Sequence, residues 1–361
     1  MTLRLLRINK SSVIKRFFDL SFLNSFFGKG QLNFLKMSAE TKSNNSYKPS
    51  TNEKGEFVRK KSNFRERVTA DGSSEFKAEP NRYHLYVSLA CPWAHRTLIV
   101  RKLKGLEKVI SVDVVDWLME DKGWKFDTEG KPGATKDSLN GFSYLSEIYA
   151  LAQPGYDGRW TVPVLFDKFQ KKIVNNESSE IIRMLNSEFN AFCETVEQKE
   201  IDLYPKELQK EIDEINEWVY PTINNGVYRC GFATTQEAYD NAVATLFEAL
   251  DKLENILSTK RYVTGSKFTE ADVRLFTTLV RFDCVYHGHF KCNKKMLKDY
   301  PNIWCYTRDV YQLPKIAETV NFEHIKKHYM QSHRMINPHG IVSIGPDLNF
   351  MAPHHREKLD S

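Results

Sequence analysis

Apolar and polar positions change rhythm once along this chain, near residue 195. Before it, short apolar runs alternate with amphipathic ones. "YHLYVSL", beginning at Tyr83, is aromatic and β-prone and predicts a strand. "CPWAHRTLIVRKLKGL" predicts a helix with Pro92 at its first position and Gly105 just past its end. "VISVDVVDW" predicts a second strand, and Met119 to Ser143 is less regular. "YLSEIYALAQ" predicts a helix, "TVPVLFD" a short strand interrupted by proline, and "KKIVNNESSEIIRMLN" a strand, a turn and a helix. The order β-α-β-α-β-β-α is that of a small α/β layer with a mixed sheet.

After residue 195 the strand signals vanish. "LQKEIDEINEWVY" and "QEAYDNAVATLFEALDKLENIL" place apolar residues at spacings of three and four. In the second these are Tyr239, Val243, Leu246, Phe247, Leu250, Leu253 and Ile256, which predict a core-facing stripe. In "GSKFTEADVRLFTTLV", Thr269 and Asp272 form a capping box, with Phe268 and Val273 able to staple it. The expected organisation has five parts: a leader at 1–36, a polar linker or arm at 37–75, an α/β domain at 76–190, an all-helical domain at 200–335 and an ordered tail at 336–361.

Charge changes this picture at one place. The chain of 361 residues carries a formal +6, with 41% hydrophobic and 27% charged residues. Residues 1–36 hold Arg4, Arg7, Lys10, Lys15, Arg16, Lys29 and Lys36 against Asp19 alone, so the entire excess sits there. A nucleic-acid protein keeps its basic excess in the folded part, so no nucleic-acid partner is expected. The basic, acid-poor leader has the marks of a mitochondrial presequence. Initiation at Met37 would remove it and leave a cytoplasmic form. No apolar run approaches the roughly 18 residues of a membrane span. Six cysteines (Cys91, Cys193, Cys230, Cys284, Cys292 and Cys305) are scattered with no CxxC pair, which argues for a reducing compartment.

Three features carry chemistry. Cys91 ends a strand and caps a helix, where free amides and the helix dipole favour a thiolate and a lowered pKa. Position 94 is alanine, so no local disulfide partner exists, and an exchanging thiol here needs an external thiol. A buried structural cysteine is the alternative. In "RWTVPVLF", a cis Val162–Pro163 bond would explain proline inside an apolar strand and turn the Val162 backbone towards a peptide-like ligand. In "NNESSE", Glu177 and Ser178 open a helix and can hold an ammonium and a carboxylate, unless they serve as caps alone. "CVYHGHFKC" imitates a zinc knot, but its spacing is compressed. "HIKKHYMQSH" lacks the HExxH glutamate, and Lys326 and Lys327 suggest a solvated face for that helix. No metal is expected.

Together with "GWKFD", "GRWTVPVLFD", "INNGVYRCGFATTQEAY", "NFEHIKKHY" and "INPHGIVSIGP", these features resemble the glutathione transferases related to the omega class. More narrowly, they resemble the xi class, the glutathionyl-hydroquinone reductases, over roughly residues 50–350. The resemblance implies a thioredoxin-like α/β N-terminal domain plus an all-α C-terminal domain, glutathione as co-substrate, glutathionylated aromatic molecules as substrates and a homodimer. It makes Cys91 the nucleophile and Tyr228 and Tyr329 the residues facing the substrate. Trp124, Arg159, Val162, Pro163, Glu177 and Ser178 would form the glutathione site. Two alternatives stay open: an omega-like transferase acting on dehydroascorbate or mixed disulfides, and a non-catalytic glutathione-binding module.

Overall fold

The computed structural model describes residues 49–127 and 129–360. The basic leader at 1–36, Met37 and the start of the polar stretch lie outside them. Residues 49–75 form an arm laid against both halves of the molecule. Phe57 and Val68 are buried in the common core, because they are the apolar anchors in an otherwise polar run. Two short parallel strands, β1 (Val68–Thr69) and β2 (Phe76–Lys77), lead from the arm into the sheet.

The main sheet is centred on β3 (Tyr83–Val87), whose five side chains are all buried. The helix α1 (Pro92–Leu103) follows. Pro92 occupies its first turn, and Gly105 takes φ +62° beyond its last turn, a left-handed position natural to glycine. Next come β4 (Ser111–Glu120), β5 (Gly123–Phe126), α2 (Leu145–Ala152), β6 (Val164–Asp167), β7 (Lys172–Asn175) and α3 (Ser178–Ser187). The strand order is β5-β4-β3-β6-β7, with β3 and β4 parallel and the other pairs antiparallel. The edge strand β5 falls in the stretch read from sequence as irregular. It is four residues long and joined to β4 by a tight turn, too little chain to show a period.

Register decides what meets at one end of this sheet. Tyr86 pairs with Val164 and Leu165 with Asn175. The C-terminal end of β3, the N-terminal end of β6 and the C-terminal end of β7 therefore share one edge. Cys91, Val162–Pro163 and Glu177–Ser178 all follow or precede those ends.

The second half is helical: α4 (Val196–Glu200), α5 (Gln209–Val219), α6 (Gly226–Gly231), α7 (Gln236–Leu257), α8 (Glu270–Arg281), α9 (Pro301–Gln312) and α10 (Phe322–Ser332). The expected capping box opens α8, with the Thr269 amide donating to Asp272 at 2.8 Å. Leu246, Phe247, Leu250 and Leu253 of α7 are buried, as their spacing predicts, while Tyr239, Val243 and Ile256 are half-buried. Two single π-turns, Tyr220–Asn224 and Phe282–Tyr286, interrupt the helices just before Tyr228 and at Tyr286. Such turns redirect side chains and recur at functional sites.

The solvated face expected for α10 is a correction. His324 and His328 are both buried against β4 and its flanking loop: His324 meets the Pro132 carbonyl at 2.7 Å, and His328 meets the Trp117 carbonyl at 2.8 Å. Spacing of four puts the two histidines on one face, and the lysines between them project from the other sides. The tail at 336–360 is mostly irregular but anchored. Phe350 is buried, and the buried Arg356 donates to the carbonyls of Leu257 and Arg261. Among the described residues no helix is long and apolar enough to cross a membrane.

Candidate active site

Cys91 is the N-cap of α1, with extended backbone (φ −75°, ψ 121°), and is half-buried. Its thiol donates to the Val162 carbonyl at 3.6 Å, and Val162 is joined to Pro163 by a cis bond. The thiolate expectation needs correcting. Burial pushes the Cys91 thiol up, against the amides of Ala94 and Trp93 and the guanidinium groups of Arg281 and Arg59, which act to lower it. Desolvation is the largest of these effects, because Cys91 packs against the hydrophobic core.

At the neighbouring helix start, Glu177 caps α3. Its carboxylate accepts from the Ser179 amide at 3.2 Å, the Ser179 hydroxyl at 3.0 Å and the Ser62 hydroxyl of the arm at 3.0 Å. Ser178 is buried and accepts from Arg96 at 3.3 Å. Arg96 is itself buried. It also donates to Asn224 at 3.0 Å and lies 4.5 Å from the Trp93 ring, and burial pushes its pKa down to about 9. Arg159 is half-buried in the loop before β6, its carbonyl accepting from the Tyr156 hydroxyl at 3.1 Å. Trp124 is buried on β5 and stacks on His328, ring centres 4.8 Å apart.

Tyr228 and Tyr329 meet across the helical half. Their hydroxyls are 2.6 Å apart, and a third tyrosine, Tyr286, reaches Tyr329 at 3.0 Å. Burial raises all three phenols, Tyr286 to about 12, so each keeps its proton at neutral pH. The Tyr228 ring stacks against Trp93, two residues after Cys91, at 6.2 Å. The two expected tyrosines therefore stand together and beside the cysteine helix.

Sequence reasoning missed five members of this neighbourhood. Tyr286 lies inside "CVYHGHFKC", among the cysteines and histidines of the apparent zinc knot. Those residues go elsewhere: Cys284 packs on its own helix, Cys292 on the Val227 carbonyl, and His289 on His333. Among the described residues no cluster of three metal-ligating side chains is present. Arg96 and Trp93 sit within "CPWAHR", spaced three apart on one helix face. His328 carries the spacing of four from His324, in a motif that lacks the HExxH glutamate. Arg59 has no local signal at all. It comes from the arm, and its guanidinium lies 4.7 Å from the Tyr228 ring and 4.8 Å from the Trp93 ring.

A helix-start cysteine facing a cis-proline in a thioredoxin-like layer, closed by a helical domain, defines the glutathione transferase architecture. The chain matches the family description "Glutathione S-transferase, N-terminal domain" over residues 90–188 and "Glutathione S-transferase, C-terminal domain" over 236–308. It is 57% identical over 309 residues to the glutathionyl-hydroquinone reductase YqjG of Escherichia coli, an alignment covering 84% of this chain and 93% of that protein. The solved glutathione-bound structure of YqjG superposes with a TM-score of 0.79 at 57% identity, covering 82% of this chain and 96% of that one. The xi glutathione transferase of Phanerochaete chrysosporium gives a TM-score of 0.81 at 52% identity, covering 84% of this chain and 96% of that one. The chain belongs to the glutathione transferase family and, within it, to the xi class.

Proposed function

We propose that the protein is a glutathione-dependent reductase that removes glutathione from glutathionyl-hydroquinones through a mixed disulfide at Cys91. The observation that carries this reading is the hydrogen-bonded group Tyr228, Tyr329 and Tyr286, protonated and set beside the cysteine helix. The names of the similar proteins support the same substrate class.

Glutathione pairs its cysteinyl backbone with Val162, shaped by the cis Pro163. Its γ-glutamyl end meets Glu177 through the ammonium and Ser178 with the helix amides through the carboxylate. Trp124 and Arg159 hold the remainder, Arg159 by a charge-assisted bond to a carboxylate. Cys91 gives up its proton to solvent and, as the thiolate, attacks the sulfur of the conjugate. The sulfur–aryl bond breaks, its electron pair stays on the ring carbon, and a proton from Tyr228 or Tyr329 completes the hydroquinone. The phenol regains its proton from solvent. A second glutathione, as thiolate, attacks the mixed disulfide, releasing oxidised glutathione and the Cys91 thiolate. The aromatic ring carbon is reduced by two electrons, and the conjugate's thioether sulfur and the second glutathione's thiol sulfur are oxidised together to a disulfide.

The test is turnover of a glutathionyl-hydroquinone with glutathione, run beside dehydroascorbate. Ping-pong kinetics and a preference for the conjugate support the reading. A preference for dehydroascorbate, or full turnover by Cys91→Ala, overturns it. A second copy of the chain is the proposed partner, checked by sedimentation at micromolar concentration. The leader at 1–36 directs the longer form to mitochondria, and a reporter carrying it that stays diffuse in the cytosol counts against this.

A further inference from the structure

The proposed activity leaves the arm ahead of β1 without a task. Its contacts run from the start of α7 to the start of α3. The Thr234 amide donates to the Gly55 carbonyl at 3.0 Å, and the Thr235 hydroxyl to the Lys54 carbonyl at 2.8 Å. Gly55 is at φ +80°, and a Cβ there would stand 2.7 Å from both threonine side chains, so the arm is seated closely. Phe57 packs on Phe232 at 5.3 Å, and at the far end Ser62 binds Glu177. Between these anchors the arm passes Tyr228 and Trp93, and there it presents Arg59.

We propose that Arg59 is a positioning residue of the active site, supplying from the arm a fixed positive charge that favours the thiolate of Cys91. Its guanidinium is wedged among the rings of Phe57 at 5.2 Å, Trp93 at 4.8 Å and Tyr228 at 4.7 Å. Its Nε donates to the Asn225 Oδ1 at 2.7 Å, a neutral amide that orients the cation without cancelling its charge. Rings on these sides keep water away, so the field reaches further than it would in open solvent. The charged and titratable groups coupled electrostatically to Cys91 are Arg281, Arg59, Tyr228 and Tyr286. The two phenols hold their protons. Arg281 is built into the core, bonded to the carbonyls of Ala90, Leu89 and Thr277. Arg59 is the cation that arrives on a separate segment of chain.

The inference rests on Cys91 being the reacting thiol, and not on which conjugate it attacks. The experiment is alkylation of the full chain by iodoacetamide across pH, with the Cys91 peptide quantified by mass spectrometry. Wild type, Arg59→Met, Arg59→Lys and Asn225→Ala are compared. On the acid side of the profile, Arg59→Met is expected to slow alkylation about fivefold. Its midpoint moves up, and its rate rejoins wild type where the thiol is fully ionised. Arg59→Lys restores most of the loss, and Asn225→Ala shifts the midpoint the same way by less. An unchanged profile in Arg59→Met overturns the proposal. So does an equal loss at every pH that Arg59→Lys fails to restore, which marks a packing role. A wild type that alkylates as described but turns over no glutathionyl-hydroquinone sinks the substrate assignment and leaves Arg59 standing.

Discussion

At Cys91 a helix start and a half-buried setting pull in opposite directions, and desolvation is the stronger. The thiol is neutral below its raised pKa, so reactivity in the free protein climbs as pH rises through that value and levels above it. Rate constants for Cys91 alkylation without glutathione should therefore still be rising where an ordinary thiol, near 8.5, has begun to level. A profile already flat at neutral pH contradicts this. Bound glutathione adds a second effect. The Val162 carbonyl that takes the thiol proton is also the acceptor proposed for the cysteinyl backbone, so the two compete. The phenols behave differently. Tyr329 stands between Tyr228 and Tyr286, and Tyr329→Phe removes both bonds at once. It should lower kcat/KM for an aryl conjugate on the order of 100-fold, the usual size for a lost proton donor. Cys91 alkylation should be unchanged, and loss of both would show that the variant disturbs the cysteine helix instead.

Among the elements, α10 makes the clearest pH prediction. His328 and His289 are each held down to about 4 by burial, and His95, His324 and His333 are lowered by the same cause. An unfolded histidine titrates near 6.5, so below that pH the unfolded chain takes up protons that the folded one refuses. Stability is complete above about pH 6.5 and is lost as pH falls towards 4, by up to about 1.4 kcal/mol per unit for each histidine. Asp272 acts in the opposite sense. Burial raises it to about 6, so the folded state takes its proton first and gains as pH falls through that range. It offsets one histidine among several, and the net expectation is a falling urea midpoint between pH 6.5 and 4.5. His328→Gln should flatten that slope, and a midpoint independent of pH would refute the argument.

The same helix shows what the sequence could and could not reveal. The spacing of His324 and His328 was visible, but two lysines beside them read as solvent exposure, because pattern alone does not say which face meets a sheet. Long periodic helices such as α7 and the capped start of α8 were legible, since period and cap are local properties. Strand β5 and the arm were not, because a four-residue edge strand and isolated anchors such as Phe57 and Arg59 acquire meaning only from distant partners. Cys91, Pro163 and Glu177–Ser178 were found through helix starts and a misplaced proline. Arg96 and Tyr286 needed the register that brings α1, α3 and the two π-turns together.

Across the whole molecule, the site exists only because the two halves are fixed to one another. The described residues form one compact unit. Arg281 of α8 is buried and donates to the Ala90 carbonyl at 2.9 Å and the Leu89 carbonyl at 3.1 Å, the two residues before Cys91. It also meets His95 Nδ1 at 3.0 Å. Arginine can only donate, so His95 accepts there, carries its proton on Nε2 and donates to the Thr319 hydroxyl at 2.7 Å. Thr319 in turn donates to the Ile316 carbonyl at 2.6 Å. One continuous chain of bonds thus runs from the cysteine loop through α8 and α1 to the segment before α10. Arg281→Met leaves buried carbonyls and an imidazole nitrogen without their donor, at a cost on the order of 3 kcal/mol. The denaturation midpoint should drop while unfolding stays a single transition, because the clamp belongs to both halves. Amide exchange reads this directly: β3 and α8 should lose protection together. If α8 exchanges faster while β3 keeps its wild-type protection, the halves are independent folding units and the clamp does not join them.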